Sequence, residues 1–306
     1  MSDQSQNLWG IDLGGTKVEG AILKSAKQPD VLFRDRLSTE AEKGYDHILG
    51  QIKKVVDQME AMAGFKPTRI GIATPGTLDP SLGTMKNSNS TSLNGRTLKL
   101  DLEKLLGVKI SMANDANCFA LAEANMGVVQ EKYPNAKVVF GVIMGTGVGG
   151  GVVVEGKVIN GLQGIGGEWG HNFLDASGSS CYCGKSGCVE RVLAGPELEK
   201  YYESISGSHK RMKEIYASAL NNSDDAAVKT MKRLTSFFGQ ALSVVVNILD
   251  PDVIVVGGGV GNIDLIYTEG VESLRKHVFN NRLDTPVVKP KLGDSAGVFG
   301  AAYLVA

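Results

Sequence analysis

Between Gly167 and Glu190 the chain reads GEWGHNFLDASGSSCYCGKSGCVE, and this stretch concentrates residues able to do chemistry. It holds His171, Cys181, Cys183 and Cys188, three of the four cysteines of the protein. One histidine and three cysteines match the ligand set of a closed, tetrahedral structural zinc site. Scattered buried thiols or a disulfide pair are the other readings of the same residues. The tight clustering in a polar, glycine-rich loop favours the metal. Two carboxylates, Glu168 and Glu190, flank the cluster.

Three glycine turns offer a second kind of chemistry. Asp12–Lys17 reads DLGGTK, a tight turn whose N–H groups point one way and suit phosphate oxygens, with Asp12 placed to hold a magnesium ion. Residues 145–151 read GTGVGGG and contain a literal G-x-G-x-x-G. A dinucleotide fingerprint must open a helix, and here a strand continues at Gly151–Glu155, so that reading is rejected. Both turns are strand–turn–strand, which suggests two related phosphate turns. A Walker A sequence is absent, Gly178 to Gly184-Lys185-Ser186 being one residue too long. The third turn, GGGVGN at 257–262, precedes an expected helix over Leu265–His277, so its amides suit a nucleotide's phosphate or sugar.

Two further places carry candidate side chains. Asp115 lies in NDAN (114–117), where a strand ends and a helix over Ala116–Asn125 begins. It is either an N-cap or a carboxylate presented at the carboxyl edge of a sheet, where α/β proteins bind ligands. The loop KNSNSTSLNGR (86–96), after TPG at 74–76, suits a polyhydroxyl ligand, although turn chemistry explains most such runs.

Apolar patterning supplies the elements that must position these groups. Strands are expected at Leu8–Leu13, Val18–Leu23, Val31–Arg36, Arg69–Ala73, Val108–Met112, Lys137–Met144, Asp252–Val256 and from Val287. Helical spacing runs through Tyr45–Ala63 and, with breaks near 206–208 and 221–224, from Gly195 to Asn247. A small-residue helix closes the chain. No short repeat or low-complexity linker is present.

Composition sets the outer limits. The 306 residues are enough for about two domains, and 42% hydrophobic with 21% charged residues is ordinary for a globular protein. A formal charge of −1 and a pI near 6.4 give no electrostatic case for nucleic-acid or membrane binding. The leader MSDQSQN does not resemble a signal peptide, and no apolar run approaches the roughly 20 residues needed to span a bilayer. Four cysteines in so long a chain do not make a disulfide scaffold, so a reducing cytoplasm is expected.

In order, DLGGTK, TPG, NDAN, GTGVGGG, GEWGH, CYCGKSGCVE and VGGG resemble the ROK family of sugar kinases and sugar-responsive repressors across essentially the whole chain. The GExGH…CxCGxxGCxE segment is the most specific part. KNSNSTSLNG and VVNILDPDVIVVGGG look most like its fructokinase/glucokinase (hexokinase) branch, with the N-acetylglucosamine kinases close by. The resemblance implies an actin-like, ribonuclease H-like ATPase fold of two α/β domains around a central cleft. Residues 1–113 plus 293–306 would form the small domain, and 114–292 the larger one carrying the zinc loop.

It further implies ATP and Mg²⁺ with structural Zn²⁺, a hexose substrate (glucose, fructose or mannose) phosphorylated at its 6-hydroxyl, and a cytoplasmic homodimer. Asp115 would be the general base. Gly76, Asn89, Asn114, Asp115, Glu168, His171 and Glu190 would contact the sugar. Asp12, Gly14, Gly15, Thr16, Lys17, Gly145, Thr146 and Gly147 would hold the phosphates, with Gly257, Gly258 and Gly259 near the adenosine. The alternative substrate is N-acetylglucosamine or N-acetylmannosamine. A repressor of the same family is discounted, because eleven residues precede Asp12 and no basic recognition helix is apparent. A sugar-binding protein without catalysis is disfavoured by the retained Asp12, Asp115 and glycine turns.

Overall fold

The computed structural model describes residues 7–306. The reading of the leader as lacking a signal peptide lies largely outside them. The protein is a mixed α/β chain that divides into two compact units. One comprises the chain up to Pro134 with Gly151–Gly167 and Lys291–Ala306, and the other Asn135–Gly150 with Glu168–Pro290.

The first unit opens with β1 (Leu8–Leu13), β2 (Lys17–Leu23) and β3 (Val31–Ser38), an antiparallel meander. Helix α1 (Tyr45–Ala63) buries Ile48, Ile52, Val55, Val56 and Met59, one stripe at helical spacing. It stops at Gly64, whose left-handed backbone (φ 78°) returns an N–H to the Glu60 carbonyl. Next come β4 (Arg69–Thr74), the short hairpin β5 (Thr77–Leu78) and β6 (Met85–Lys86), α2 (Leu98–Leu106), β7 (Lys109–Asn114), α3 (Asp115–Asn125) and α4 (Val128–Lys132). The sheet order is β3-β2-β1-β4-β7, and β1, β4 and β7 run parallel. Leu13, Thr74 and Asn114 therefore end on one carboxyl edge.

The second sheet is built from β8 (Val138–Met144), β9 (Val148–Val154), β10 (Lys157–Val158), β11 (Val253–Gly257) and β12 (Val287–Val288), in the order β10-β9-β8-β11-β12. The chain passes from the second unit to the first within β9, at Gly150–Gly151. The second unit's helices are α5 (Val189–Leu193), α6 (Gly195–Ser206), α7 (Met212–Leu220), the 25-residue α8 (Asp225–Leu249), α9 (Gly258–Gly261) and α10 (Glu269–His277). The final helix, α11 (Ala296–Tyr303), lies in the first unit.

Helix α11 explains its own small-residue sequence. A Cβ added at Gly71 on β4 would lie 1.7 Å from the Ala301 carbonyl oxygen, and one at Gly10 on β1 would lie 2.3 Å from that of Val298. A Cβ at Gly300 would fall 1.8 Å from the Cys118 oxygen on α3. The helix thus touches the sheet and α3 backbone to backbone. Among the described residues no helix is long and apolar enough to cross a membrane.

One expected element is corrected. The third glycine turn is not a loop leading to a helix over Leu265–His277. Helix α9 starts within it at Gly258, and α10 starts only at Glu269. Between them, Tyr267 Oη donates to the carbonyls of Val256 and Gly261 at 3.0 and 2.7 Å, which ties the segment back to β11.

Candidate active site

In the first unit, three strand ends bring the candidate groups together. Asp12 pairs with Ala73 in the β1–β4 register, and Thr74 pairs with Asn114 in the β4–β7 register. The Asp12 carboxyl is pushed up to about 7, first by burial and then by the charges of Asp115 and Glu19. Burial likewise raises Asp115, against bonds from its own amide and that of Ala116. Residue Asp115 is nevertheless solvent-exposed; its carboxyl is enclosed by protein on some sides and open on another.

The N-cap reading of Asp115 is corrected. Asn114 is the cap, its Oδ1 accepting the Asn117 N–H at 2.8 Å. Asp115 is the first residue of α3, and its Oδ1 accepts the adjacent Ala116 N–H at 2.8 Å. An asparagine that caps and an aspartate that follows leave a carboxylate displayed at the edge of the sheet.

Gly76 meets its backbone requirement with φ 111°, and a Cβ there would lie 2.7 Å from Ser88 Cα. That contact seats the KNSNSTSLNGR loop on the TPG turn. Within the loop, Asn94 clamps Ser88, its Oδ1 accepting the Ser88 N–H and its Nδ2 donating to the Ser88 carbonyl, both at 2.9 Å. Part of the polar run therefore serves turn chemistry, and Asn89 stays exposed.

The first two glycine turns are hairpins, as their flanks imply. The Gly14 N–H donates to the Lys17 carbonyl at 2.8 Å, and Leu13 faces Val18 across the β1–β2 turn. Gly145 likewise donates to Gly147 at 2.9 Å. Gly15, Thr16, Lys17 and Thr146 are exposed at the tips, and Gly258 and Gly259 are exposed at the start of α9.

In the second unit, His171, Cys181, Cys183 and Cys188 converge, with their ligand atoms all within 4.8 Å of one another. Cys183 Sγ and Cys188 Sγ are 3.6 Å apart, and Cys181 Sγ is 3.5 Å from His171 Nδ1. A tetrahedron with metal–sulfur bonds of about 2.3 Å has edges of about 3.8 Å, so these spacings fit a zinc-sized ion. They do not fit a disulfide, whose sulfurs lie about 2.05 Å apart; all four cysteines of the chain are free. Burial, and then the neighbouring thiols, push Cys188 up to about 12. A dication would reverse that penalty.

The loop's backbone explains its glycines. Gly187 (φ 73°) presses against the Asp175 carbonyl, where a Cβ would come within 2.5 Å. Ser179 Oγ takes an N–H from Arg191 at 3.0 Å and donates to Glu197 at 2.9 Å, anchoring the loop to α5 and α6. The Glu190 carboxylate accepts the Val148 N–H at 3.1 Å, and a Cβ at Gly147 would sit 2.6 Å from it. His171 Nε2 is hydrogen-bonded to Tyr182 Oη at 2.9 Å. Glu168 is half-buried beside Trp169, whose indole N–H donates to the Gly149 carbonyl at 3.0 Å.

Sequence reasoning missed two acidic residues. Glu19, buried next to Asp12 on β2, takes Arg34 Nε at 2.5 Å and Ser295 Oγ at 3.3 Å. Glu123, fully buried in α3, accepts the N–H groups of Val128, Lys291 and Leu292 and so fastens the chain ahead of α11. A carboxylate inside an otherwise apolar run was the available signal for both.

Comparison with known proteins fits this arrangement. The ROK family signature matches residues 8–306. Over 306 aligned residues the chain is 34% identical to the N-acetyl-D-glucosamine kinase of Vibrio cholerae, covering 97% of this chain and 98% of that one. It is 33% identical to the N-acetyl-D-glucosamine kinase of Yersinia enterocolitica, with the same coverage. The crystal structure of the ROK hexokinase from Thermus thermophilus superposes with a TM-score of 0.86 at 30% identity, covering 98% of this chain and 97% of that one. The chain belongs to the ROK family and has its actin-like ATPase fold; these full-length relatives are sugar kinases of that family.

Proposed function

We propose that the protein is an ATP-dependent sugar kinase that phosphorylates the 6-hydroxyl of N-acetyl-D-glucosamine. The observation that carries this is the full-length relationship to N-acetyl-D-glucosamine kinases at 33–34% identity, joined to a retained Asp115 and glycine turns. The relatives thus favour the alternative substrate over the free hexose first expected. A free hexose remains the second reading, supported by the ROK hexokinase of Thermus thermophilus at TM-score 0.86.

In this reading Asp115 accepts the proton of the 6-hydroxyl as the oxygen attacks the γ-phosphorus of ATP. The phosphorus–oxygen bond to ADP breaks, and the sugar 6-phosphate carries the transferred group. A carboxylate with a raised pKa is a better proton acceptor, and such a base contributes about 10²–10⁴-fold. The 114-Oδ1 cap would keep α3 registered, so that Asp115 stays displayed. Asn89, Asn114, Glu168, His171 and Glu190, with the Gly76 backbone, would contact the sugar. Asp12 and the amides of Gly14–Lys17 and Gly145–Gly147 would receive the phosphates, and Gly257–Gly259 the adenosine.

Magnesium fits Asp12, a carboxylate pushed up to about 7 first by burial and then by the charges of Asp115 and Glu19, a penalty that a dication would relieve. When bound, the ion would neutralise phosphate charge. Zinc fits His171, Cys181, Cys183 and Cys188 and would serve as a structural cross-link, with no part in the transfer. We place this activity in the cytoplasm and in a homodimer.

The test is ADP release from purified protein with ATP, Mg²⁺ and a panel of sugars. N-acetylglucosamine should give the highest kcat/KM, above N-acetylmannosamine, glucose, fructose and mannose. A higher value for glucose would transfer the assignment to the hexokinase reading. No ADP with any sugar would end the kinase reading.

A further inference from the structure

Tyr182, the residue between the first two cysteines of the metal loop, is 71% exposed although it is a large aromatic. It does not swing freely. Its Oη is hydrogen-bonded to His171 Nε2 at 2.9 Å, and its ring meets the imidazole edge-on, with centroids 5.0 Å apart. His171, one of the residues proposed to contact the sugar, therefore holds this exposed ring in place.

The bond to His171 decides what a ligand must meet. With Nδ1 turned to the cysteine cluster, Nε2 is the imidazole atom left for a hydroxyl, and Tyr182 Oη already occupies that position. A sugar hydroxyl brought to His171 must displace Tyr182 Oη or bond to it. Either way it reaches the tyrosine. A rigid, amphipathic ring also loses little conformational freedom on binding, and its apolar face suits C–H groups of a pyranose.

We propose that Tyr182 is a further sugar-contacting residue that helps set substrate affinity, acting beside Glu168, His171 and Glu190. This rests on the sugar-kinase reading above. Tyr182 makes no claim on the transferred phosphate, so its effect belongs in sugar binding and KM, with kcat at saturation largely kept. The bland alternative is that the ring merely covers the metal cluster.

The experiment is calorimetric titration of N-acetylglucosamine and of glucose into wild type, Tyr182→Phe and Tyr182→Leu without nucleotide, with bound zinc measured on each sample. Phe keeps the ring and removes the hydroxyl; Leu keeps apolar cover and removes the ring. Tyr182→Leu should weaken sugar binding about tenfold and Tyr182→Phe about three- to fivefold, the loss of one neutral hydrogen bond, with zinc retained. Affinity within twofold of wild type in both variants would overturn the assignment. So would loss of zinc in the Leu variant alongside unchanged affinity in the Phe variant. If wild type itself binds no sugar, the kinase reading falls and this proposal with it.

Discussion

Asp12 offers a stability measurement whose sign follows from the acidic cluster around it. Its carboxyl titrates at about 7 instead of 3.8, burial being the larger cause and the charges of Asp115 and Glu19 the smaller ones. Between those pH values the native protein keeps a proton that the unfolded chain has lost. Stability contributed by this site is therefore greatest at low pH, falls as pH rises through the window, and levels off above pH ~7. A gap of roughly three pH units at 1.36 kcal/mol each sets a ceiling of about 4 kcal/mol. Asp12 is only half-buried, and solvent screening lowers the expectation to about 2 kcal/mol.

The assay is urea unfolding of wild type and Asp12→Asn at pH 5 and pH 8, in buffer freed of magnesium without a chelator strong enough to strip the cysteine cluster. Asparagine is neutral at both pH values, so titrations common to the two proteins cancel in the difference. Only the part of the window above pH 5 is sampled, so wild type should lose about 1 kcal/mol more than Asp12→Asn between pH 5 and pH 8. Millimolar Mg²⁺ at pH 8 should stabilise wild type and leave the variant nearly unchanged, since a ligand that binds only the native state adds RT ln(1 + [L]/Kd). Equal pH dependence in the two proteins would refute the electrostatic argument, and equal response to Mg²⁺ would refute the cation assignment.

Other consequences are read more directly. Asp115→Asn should lower kcat by about 10²–10⁴-fold with sugar affinity changed only a few-fold; near-normal turnover would reduce Asp115 to a helix residue. Cys183→Ser should lose bound zinc and thermal stability together, because metal binding at such a site is folding energy; a metal analysis and a melting curve on the same sample decide it. Gly71→Ala would set a Cβ 1.7 Å from the Ala301 oxygen, and overpacking of this kind costs about 1–3 kcal/mol. Its melting temperature should drop by several degrees, and an unchanged value would mean that α11 is not seated on β4 as described.

Legibility from sequence followed signal strength. Long apolar runs ended by glycine or proline placed β1, β4, β8 and β11 and their turns, because buried parallel strands and glycine turns leave uninterrupted marks. Helix α2 was not legible, since Leu98, Leu100 and Leu102 alternate as a strand would and only Leu98 and Leu102 are buried. Asn114 and Asp115 could not be separated in advance: both residue types cap helices, and which one does so depends on a single register position. Tyr182 left no trace because an exposed aromatic in a loop has no periodicity to read. Glu19 and Glu123 stood out as carboxylates within apolar runs, but their partners Arg34, Ser295, Lys291 and Leu292 are brought to them only by the fold.

The structure also joins motifs that look separate along the chain. The glycine turn at 145–147, the GEWGH segment at 167–171 and the CxE end of the cysteine cluster at 188–190 are separate along the chain, yet all meet at the start of β9. Glu190 holds the Val148 N–H, Trp169 holds the Gly149 carbonyl, and Gly170 abuts the Val148 oxygen so closely that a Cβ would lie 2.1 Å away. Along the chain the cysteines lie between Gly170 and Glu190, with Cys181 twelve residues after Trp169 and Cys188 two residues before Glu190. Fixing them by a metal would therefore fix both sides of the clasp around Val148–Gly149. A zinc cross-link in this position would do more than orient His171 and Glu190, the residues proposed to contact the sugar. It would also limit the freedom of the turn proposed to receive phosphate, because the loop's glycines and its carboxylate belong to one contact set.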